Sequence, residues 1–252
     1  MIERIKMKFL VIKHVVVEGL GIFEKFISQA GIDTDTVELE KGDPFPDLEN
    51  YQALWVMGGP MNVDDELDYP WLIEEKKLIQ KAVENFKIPY IGVCLGAQLL
   101  AVALGGEVGP MPTPEVGLLP ITLTQLGLDD SLMSGLSETL KVLQWHGQEV
   151  KKLPLGSKVL ASSDHCHIQA FSAGKFAYGL QFHSEITDIT VDDWIEIPEY
   201  RTDLESVLGS EGTRDLKQAV SLQLSTMNTH AKLLFDNFLI IIKEQMYKIH
   251  EL

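Results

Sequence analysis

The sequence predicts an α/β fold in which a mostly parallel central sheet carries helices on both faces, followed by a C-terminal helical extension. Three observations support this fold class. Apolar strand-type runs alternate with helical patterns over the first hundred residues, short β-type segments fill the next eighty, and an apolar helical pattern ends the chain. Alternating strands and helices favour a parallel sheet, because each crossover helix packs against one face of it.

Four strands and three helices are predicted in the first hundred residues. Apolar residues recur at helical spacing in three places: just after the first strand, from Pro70-Trp71 as far as Pro89, and from Gln98 to Leu104. The fourth strand is apolar at almost every position, which is typical of a strand buried on both faces of a sheet. The predicted strands are Phe9 to Val17, Thr34 to Leu39, Ala53 to Met57 and Ile88 to Cys94.

The rest of the chain changes character twice. Short β segments separated by turns dominate residues 107–183, at Leu118 to Leu123, Leu140 to Leu143, Lys158 to Ala161, Gln169 to Phe171 and Ala177 to Phe182. Between Leu216 and Tyr247, apolar residues recur at helical spacing and form a stripe that must be buried. We expect an α/β domain at 1–190 and a helical C-terminal extension at 191–252 that packs on this domain.

Composition and charge exclude several classes of protein. With 45% hydrophobic and 23% charged residues, the chain is not a disordered one. Its 37 acidic and 21 basic residues give a formal charge of −16, which argues against binding to nucleic acid or to a membrane surface. Two cysteines are too few for a disulfide framework and indicate a reducing compartment, so the predicted location is cytoplasmic.

The segment from Gly92 to Gln98 carries the strongest chemical signal. It joins a buried strand to a helix, and small neighbours such as Gly96 permit a tight turn around Cys94. A nucleophile on such a turn projects from the carboxyl edge of the sheet. The N-terminus of the following helix favours the thiolate and supplies N–H groups for an oxyanion. The alternative is a buried structural cysteine in a glycine-flanked turn.

Two further segments could complete a site. His183 and Glu185 are two positions apart, so on an extended chain Glu185 could orient His183 as the base for Cys94. A Gly-Gly-Pro turn follows the third strand, and its Gly59 N–H could join that of Leu95 in stabilising an oxyanion. Taken alone, the His183–Glu185 segment is better interpreted as a surface pair at a strand end, and the Gly-Gly-Pro segment as a plain turn.

Together and in this order, the three segments resemble the class I (triad) glutamine amidotransferases, in the stand-alone branch similar to the glutaminase domain of GMP synthase. The resemblance covers about residues 8 to 190 and implies a flavodoxin-like three-layer fold. It implies that Cys94 is the nucleophile, His183 the base and Glu185 its partner. Further matching segments are Asp68-Tyr69-Pro70-Trp71, Glu115-Val116-Gly117, Trp145-His146-Gly147 and Gln169-Ala170-Phe171.

The resemblance also implies an oxyanion hole and a surface for the amino-acid head of glutamine, the first at Gly59 and Leu95 and the second at Gln98, Gly147 and Gln148. Two positions depart from the family pattern. Ser184 stands between His183 and Glu185, where the family usually has Pro. Gln148 stands where the GMP synthase branch usually has Asp, which affects the contacts to the substrate head rather than the triad.

We expect no cofactor and no metal. The Gly174-Lys175 pair lacks the Gly and the Ser or Thr that a P-loop requires, since Gln169 and Phe176 occupy those positions. Without a nucleotide-binding element, the chain could not activate an acceptor for amination, so an amidotransferase would need a separate synthase subunit. The run from Asp164 to His167 contains ligand-type residues, but no second cluster completes a site.

Three functions remain open on the sequence. The first is a glutaminase that hydrolyses L-glutamine through a γ-glutamyl thioester at Cys94 and passes ammonia to a synthase. The second is an autonomous γ-glutamyl hydrolase or peptidase that acts on a γ-glutamyl amide or peptide. The third is a catalytically silent binding subunit, which the complete triad disfavours.

Overall fold

A mixed sheet forms the centre of the molecule. The computed structural model describes residues 7–250, and within them the sheet has nine strands. In chain order these strands are β1 (Lys8–Lys13), β2 (Asp33–Glu38), β3 (Ala53–Val56), β4 (Tyr90–Val93), β5 (Glu107–Leu123), β6 (Thr139–Lys152), β7 (Lys158–Ser162), β8 (Ala170–Ala173) and β9 (Ala177–Leu180). They lie side by side in the order β2-β1-β3-β4-β9-β8-β7-β5-β6.

Seven α-helices accompany the sheet in the part of the chain that the structure describes. A turn of π-helix at 81–85 prolongs the second of them, and short 3₁₀ turns lie at 39–41 and 48–50. The helices are α1 (Ile22–Gln29), α2 (Trp71–Gln80), α3 (Leu95–Ala103), α4 (Gln125–Leu128), α5 (Thr190–Trp194), α6 (Pro198–Leu208) and α7 (Gly212–His250).

The predicted α/β class is confirmed, and the sheet has two halves. Strands β2, β1, β3, β4 and β9 run parallel, whereas β8, β7, β5 and β6 are joined by antiparallel pairing. The parallel half contains the strongly apolar strands that the sequence predicts, because helices cover both of its faces. The antiparallel half widens the sheet beyond what the alternation of the first hundred residues indicates.

Alternate residues of the parallel strands face opposite helical layers, as the two-residue period of a strand requires. Phe9 and Trp55 face one side, in a core that they share with α1 and α7. Leu10 and Leu54 face the other side, in a core that they share with α2 and α3. The sheet is therefore the middle of three layers.

Several predicted boundaries differ from the observed ones. Helix α3 begins at Leu95 rather than at Gln98, because the turn at Cys94 leads directly into it. The short β segments predicted after residue 107 include parts of a long hairpin of β5 and β6, which a register shift between Pro110 and Glu115 interrupts. Prolines and glycines in β5 break its two-residue pattern, so the sequence shows only fragments of that strand.

The C-terminal helices bury their apolar stripe against the rest of the chain. The first part of α7 packs with α5, α6, β5 and β6 in a third core, which includes Leu216, Val220 and Met227. The second part joins the core on the α1 side of the sheet through Ala231, Leu234, Phe235, Phe238, Ile241 and Ile242. The division into domains at residue 190 stays a prediction. Within residues 7–250, no helix combines the length and hydropathy needed to cross a bilayer.

The packing of α7 predicts a large effect of truncating Phe238. This ring is fully buried and meets Trp55 edge-on, with 5.6 Å between ring centroids. We expect Phe238→Ala to lower the free energy of unfolding by about 3–5 kcal/mol, measured by urea denaturation. Leu222→Ala is the matched control, since Leu222 lies on the same helix with 75% of its surface exposed. Equal, small effects of both substitutions would contradict this packing.

Candidate active site

Cys94 lies in a tight turn between strand β4 and helix α3. Its backbone has φ 51° and ψ −106°, a combination that residues with a Cβ rarely adopt. The glycines beside it make the turn possible. A Cβ at Gly92 would overlap the backbone of Gly96, and a Cβ at Gly96 would overlap the backbone of Val56. The structure therefore holds the thiol at the tip of a strained strand-to-helix turn.

His183 and Glu185 form a buried pair just after β9. His183 Nδ1 lies 2.6 Å from Glu185 Oε1, and because a carboxylate only accepts, Nδ1 is the donor. This leaves Nε2 for the thiol of Cys94. Burial alone would lower the pKa of His183, but the charge of Glu185 and the hydrogen bond with Cys94 raise it well above its ordinary value. The structure thus brings together the three residues of the predicted triad.

A buried histidine that the sequence did not single out holds the Gly58-Gly59 turn. His14 Nδ1 lies 2.8 Å from the Gly58 carbonyl oxygen, and His14 Nε2 lies 3.0 Å from Glu75 Oε1. Burial lowers the pKa of His14, but the charge of Glu75 together with the hydrogen bonds to Glu75 and Gly58 raises it above its ordinary value. Since the Gly58 carbonyl is fixed on one side of a trans peptide, the N–H of Gly59 faces the other side.

A pocket of about 220 Å³ opens beside the Cys94 thiol. Six of the eight predicted site residues line it, whereas the buried His183 and Glu185 are not in its wall. The six are Gly59, Cys94, Leu95, Gln98, Gly147 and Gln148. The predicted oxyanion and substrate positions thus converge on one cavity, although they come from three separate parts of the chain.

A chain of amide groups connects one wall of this pocket to Cys94. Gln98 Nε2 donates to the Gln148 carbonyl at 3.3 Å and to Gln181 Oε1 at 3.1 Å. Gln181 Nε2 in turn donates to Cys94 Sγ at 3.6 Å. This chain of hydrogen bonds fixes the position of the Gln181 amide beside the thiol. Gln181 was not among the predicted site residues.

A buried polar network lies behind the hairpin turn at Gly147. Glu115 Oε2 is 3.1 Å from His146 Nε2 and accepts a hydrogen bond from Gln169 Nε2 at 2.6 Å. Burial would raise the pKa of Glu115, but hydrogen bonds led by the one from His146 lower it below its ordinary value. Because His146 Nδ1 lies 2.9 Å from the Gln148 carbonyl, this network fixes the backbone of the pocket wall.

The C-terminal helices reach the same site. Trp194 of α5 packs edge-on against the His183 ring, with 4.5 Å between ring centroids. Tyr200 of α6 accepts a hydrogen bond from Trp145 Nε1 through its carbonyl at 3.2 Å, and its hydroxyl donates to Glu18. Tyr200 and Asp203 also line the pocket. Nothing in the local sequence around these residues indicated this role.

Comparison with known proteins decides the family. A family model described as glutamine amidotransferase class-I matches residues 12–193, which is well over half of the 252-residue chain. The chain belongs to this family. The match ends close to α5, so α6 and α7 lie outside it.

Several members of this family resemble the chain in sequence or in structure. It is 33% identical over 187 residues to the glutamine amidotransferase-like protein YfeJ of Salmonella typhimurium, covering 73% of this chain and 77% of the relative. It is 32% identical over 163 residues to a glutamine-hydrolyzing GMP synthase subunit of Saccharolobus solfataricus, covering 64% and 81%. A crystal structure of a glutamine amidotransferase from Thermotoga maritima superposes with a TM-score of 0.82 at 29% identity, covering 92% of this chain and 97% of that one.

The run of ligand-type residues from Asp164 to His167 has a structural role at Cys166. This cysteine is fully buried, and its thiol donates to the Ile168 carbonyl at 3.5 Å. Burial raises the pKa of the Cys166 thiol to about 12. Among residues 7–250, no three His, Cys, Asp or Glu side chains are grouped to hold a metal ion.

The two free cysteines are therefore expected to differ in reactivity. We expect iodoacetamide to label Cys94 before Cys166 at pH 7–9, because Cys94 borders the pocket and Cys166 stays protonated and covered. Peptide mass spectrometry after timed labelling measures both rates. A Cys94→Ala protein should take up almost no label under the same conditions. Faster labelling of Cys166 would contradict the assignment of Cys94 as the reactive thiol.

Glu18 is a buried carboxyl group beside the His183–Glu185 pair. One of its oxygens accepts the Tyr200 hydroxyl, and the other has no partner among the described residues. Burial raises the pKa of Glu18 from 4.5 to about 7, against the opposing charge of His183. The Glu18 carboxyl group therefore stays mostly neutral between pH 4.5 and about 7, where an exposed carboxyl group of ordinary pKa is mostly ionised.

Because the pKa of Glu18 is raised in the folded state, the free energy of unfolding is expected to fall as pH rises. The contribution of neutral Glu18 is fully present below the unfolded value of 4.5 and is lost as pH rises through about 7. We expect the unfolding free energy of the wild type, relative to Glu18→Gln, to fall by about 3 kcal/mol between pH 4.5 and pH 8. Urea denaturation at several pH values measures it. A difference that does not change with pH would overturn the assignment.

Proposed function

We propose that this chain hydrolyses the side-chain amide of L-glutamine, or of a related γ-glutamyl compound, through a thioester at Cys94. One observation carries the proposal: the Cys94 thiol lies at a strained strand-to-helix turn, borders a pocket of about 220 Å³ and, after Glu185, is the group that raises the pKa of buried His183. A thiol nucleophile, an imidazole and an orienting carboxylate are sufficient for acyl transfer.

The proposed reaction has two halves. His183 accepts the thiol proton as Cys94 Sγ attacks the amide carbon, and then gives that proton to the departing nitrogen, so that ammonia leaves and a γ-glutamyl thioester remains. His183 next accepts a proton from water as the water attacks the thioester. Glutamate is released, and the proton returns to the thiol. The raised pKa of His183 suits the first half, because the ring keeps its proton until the leaving group takes it.

In this mechanism the oxyanion is stabilised by the N–H groups of Gly59 and Leu95. Leu95 is the first residue of α3, so its N–H has no carbonyl partner in a preceding helical turn. The Gly59 peptide is held by His14, which we propose as a positioning residue for this donor. Fixed donors of this kind stabilise the transition state without having to reorganise during the reaction.

The amino-acid head of the substrate would lie against the far wall of the pocket. Gln98 offers an amide side chain there, and the hairpin turn at Gly147 and Gln148 offers backbone groups. Their positions are held by the hydrogen bonds between Gln98, Gln148 and His146 described above. We propose that these groups bind the α-carboxylate of glutamine and some of the N–H groups of its α-ammonium.

The fate of the ammonia distinguishes two versions of the function. Relatives named as glutamine-hydrolyzing GMP synthase subunits support delivery to a separate synthase chain. An autonomous γ-glutamyl hydrolase is the second candidate, and the C-terminal helices favour it: α6 contributes to the pocket wall, and the stripe of α7 is buried in the chain's own cores. We propose a cytoplasmic location for either version, on the basis of the two free thiols.

The triad assignment predicts graded losses of activity. We expect Cys94→Ala to abolish ammonia release from glutamine or γ-glutamyl amides, and His183→Ala to lower kcat on the order of 10⁴-fold or more. Glu185→Gln should retain more activity than either, since it orients the base without taking the proton. A coupled ammonia assay measures the rates. Cys166→Ala is the control and should keep wild-type activity, because Cys166 lies outside the pocket.

Folding must be checked in the same experiment by circular dichroism and Tm. A folded Cys94→Ala protein that releases ammonia at the wild-type rate would overturn the proposed mechanism. Turnover of glutamine and of a panel of γ-glutamyl amides by the purified chain alone separates the two versions. High activity on a γ-glutamyl amide without a partner favours the autonomous hydrolase, whereas activity that depends on an added synthase favours the amidotransferase.

A further inference from the structure

Asp203 is an unpaired acidic residue in the wall of the pocket. It lies on α6, ten residues beyond the part of the chain that the family model matches, and borders the same cavity as Cys94 and Gln148. Within residues 7–250, its carboxylate accepts no hydrogen bond and forms no ion pair. Partial burial raises its pKa, and no neighbouring charge contributes to the shift. Burying part of a carboxylate without a partner costs free energy, which a cation in the pocket would compensate.

The charged residues that line the pocket indicate that a ligand group paired with Asp203 carries a positive charge. Among the described residues that line it, Asp203 is the one acidic side chain, and none is Lys or Arg. His146 is also in the wall, but its two ring nitrogens face Glu115 and the Gln148 carbonyl. The cavity thus presents one free negative charge to whatever enters it.

Asp203 is held firmly enough to act as a recognition group. Three residues before it, Tyr200 is buried, with its carbonyl bonded to Trp145 and its hydroxyl bonded to Glu18. Directly after it, Leu204 is fully buried in the core shared by α6 and α7. Since both neighbours are anchored, the carboxylate keeps its position relative to the pocket rather than moving with a free helix.

We propose that Asp203 binds the α-ammonium group of the γ-glutamyl substrate, so that the enzyme selects compounds with a free, charged α-amino group. This inference rests on the proposed function, which places the scissile amide at Cys94 and therefore the amino-acid head deeper in the same cavity. Gln98 and the Gly147–Gln148 turn supply only neutral groups to that head. A charge-assisted hydrogen bond from the ammonium to Asp203 adds the affinity and the selectivity that neutral acceptors lack.

The test compares Asp203→Asn with wild type on two substrates, glutamine and its des-amino analogue 4-carbamoylbutanoate. For glutamine we expect Asp203→Asn to raise KM about tenfold or more while kcat changes by less than about threefold, since the interaction is made equally in the ground and transition states. For the des-amino analogue, kcat/KM should be the same in both proteins. Glu205→Gln is the matched control, because it removes one charge from the exposed side of the same helix and should change neither.

Unchanged glutamine kinetics in Asp203→Asn would overturn the inference while leaving the hydrolase intact, and so would equal losses on both substrates. Calorimetric binding of glutamine to Cys94→Ala, with and without Asp203→Asn, keeps the two proposals separable. If wild type turns over no γ-glutamyl compound but glutamine still binds in an Asp203-dependent manner, the recognition site stands and the hydrolase proposal fails. If glutamine neither binds nor reacts, both are wrong.

Discussion

The close approach of helix α3 to strands β3 and β4 is the constraint on which the rest of the site depends. Only glycine fits at positions 92 and 96, where a side chain would overlap the neighbouring backbone, and Cys94 between them takes a positive φ. Such a conformation costs free energy, so the surrounding core must hold it in place. The large apolar cores on both faces of the sheet, which include β4 and α3, provide that support.

Around this turn, buried carboxylates fix the orientation of three histidine rings, which apolar packing alone would not fix. Glu75 holds His14, Glu115 holds His146, and Glu185 holds His183, through histidine–carboxylate contacts of 3.0, 3.1 and 2.6 Å respectively. All six side chains are buried, and in such surroundings hydrogen bonds fix orientation strongly and an unpaired polar group costs free energy. Three such pairs therefore hold the Gly58-Gly59 turn, the pocket wall at Gln148 and the His183 ring with little conformational freedom.

The C-terminal helices contribute residues to the same site, although the family model ends near their beginning. Trp194 packs on the His183 ring, Tyr200 bonds to both Trp145 and Glu18, and Asp203 faces the pocket. The Thermotoga maritima structure covers 92% of this chain, more than residues up to 193 could supply, so part of these helices is shared with that glutamine amidotransferase. Residues beyond the part of the chain that the family model matches thus help to form the pocket beside Cys94.

The sequence by itself determined the features that are encoded locally. Strand and helix alternation, the glycine-flanked Cys94 turn and the two-residue spacing of His183 and Glu185 are short-range patterns, and each can be read from a few neighbouring residues. The antiparallel half of the sheet, the His14–Glu75 pair and the Tyr200–Glu18 contact, whose partners are 61 and 182 positions apart, were decided only by the tertiary structure. No periodicity links residues so distant, because their proximity results from how sheet and helices pack rather than from local conformation.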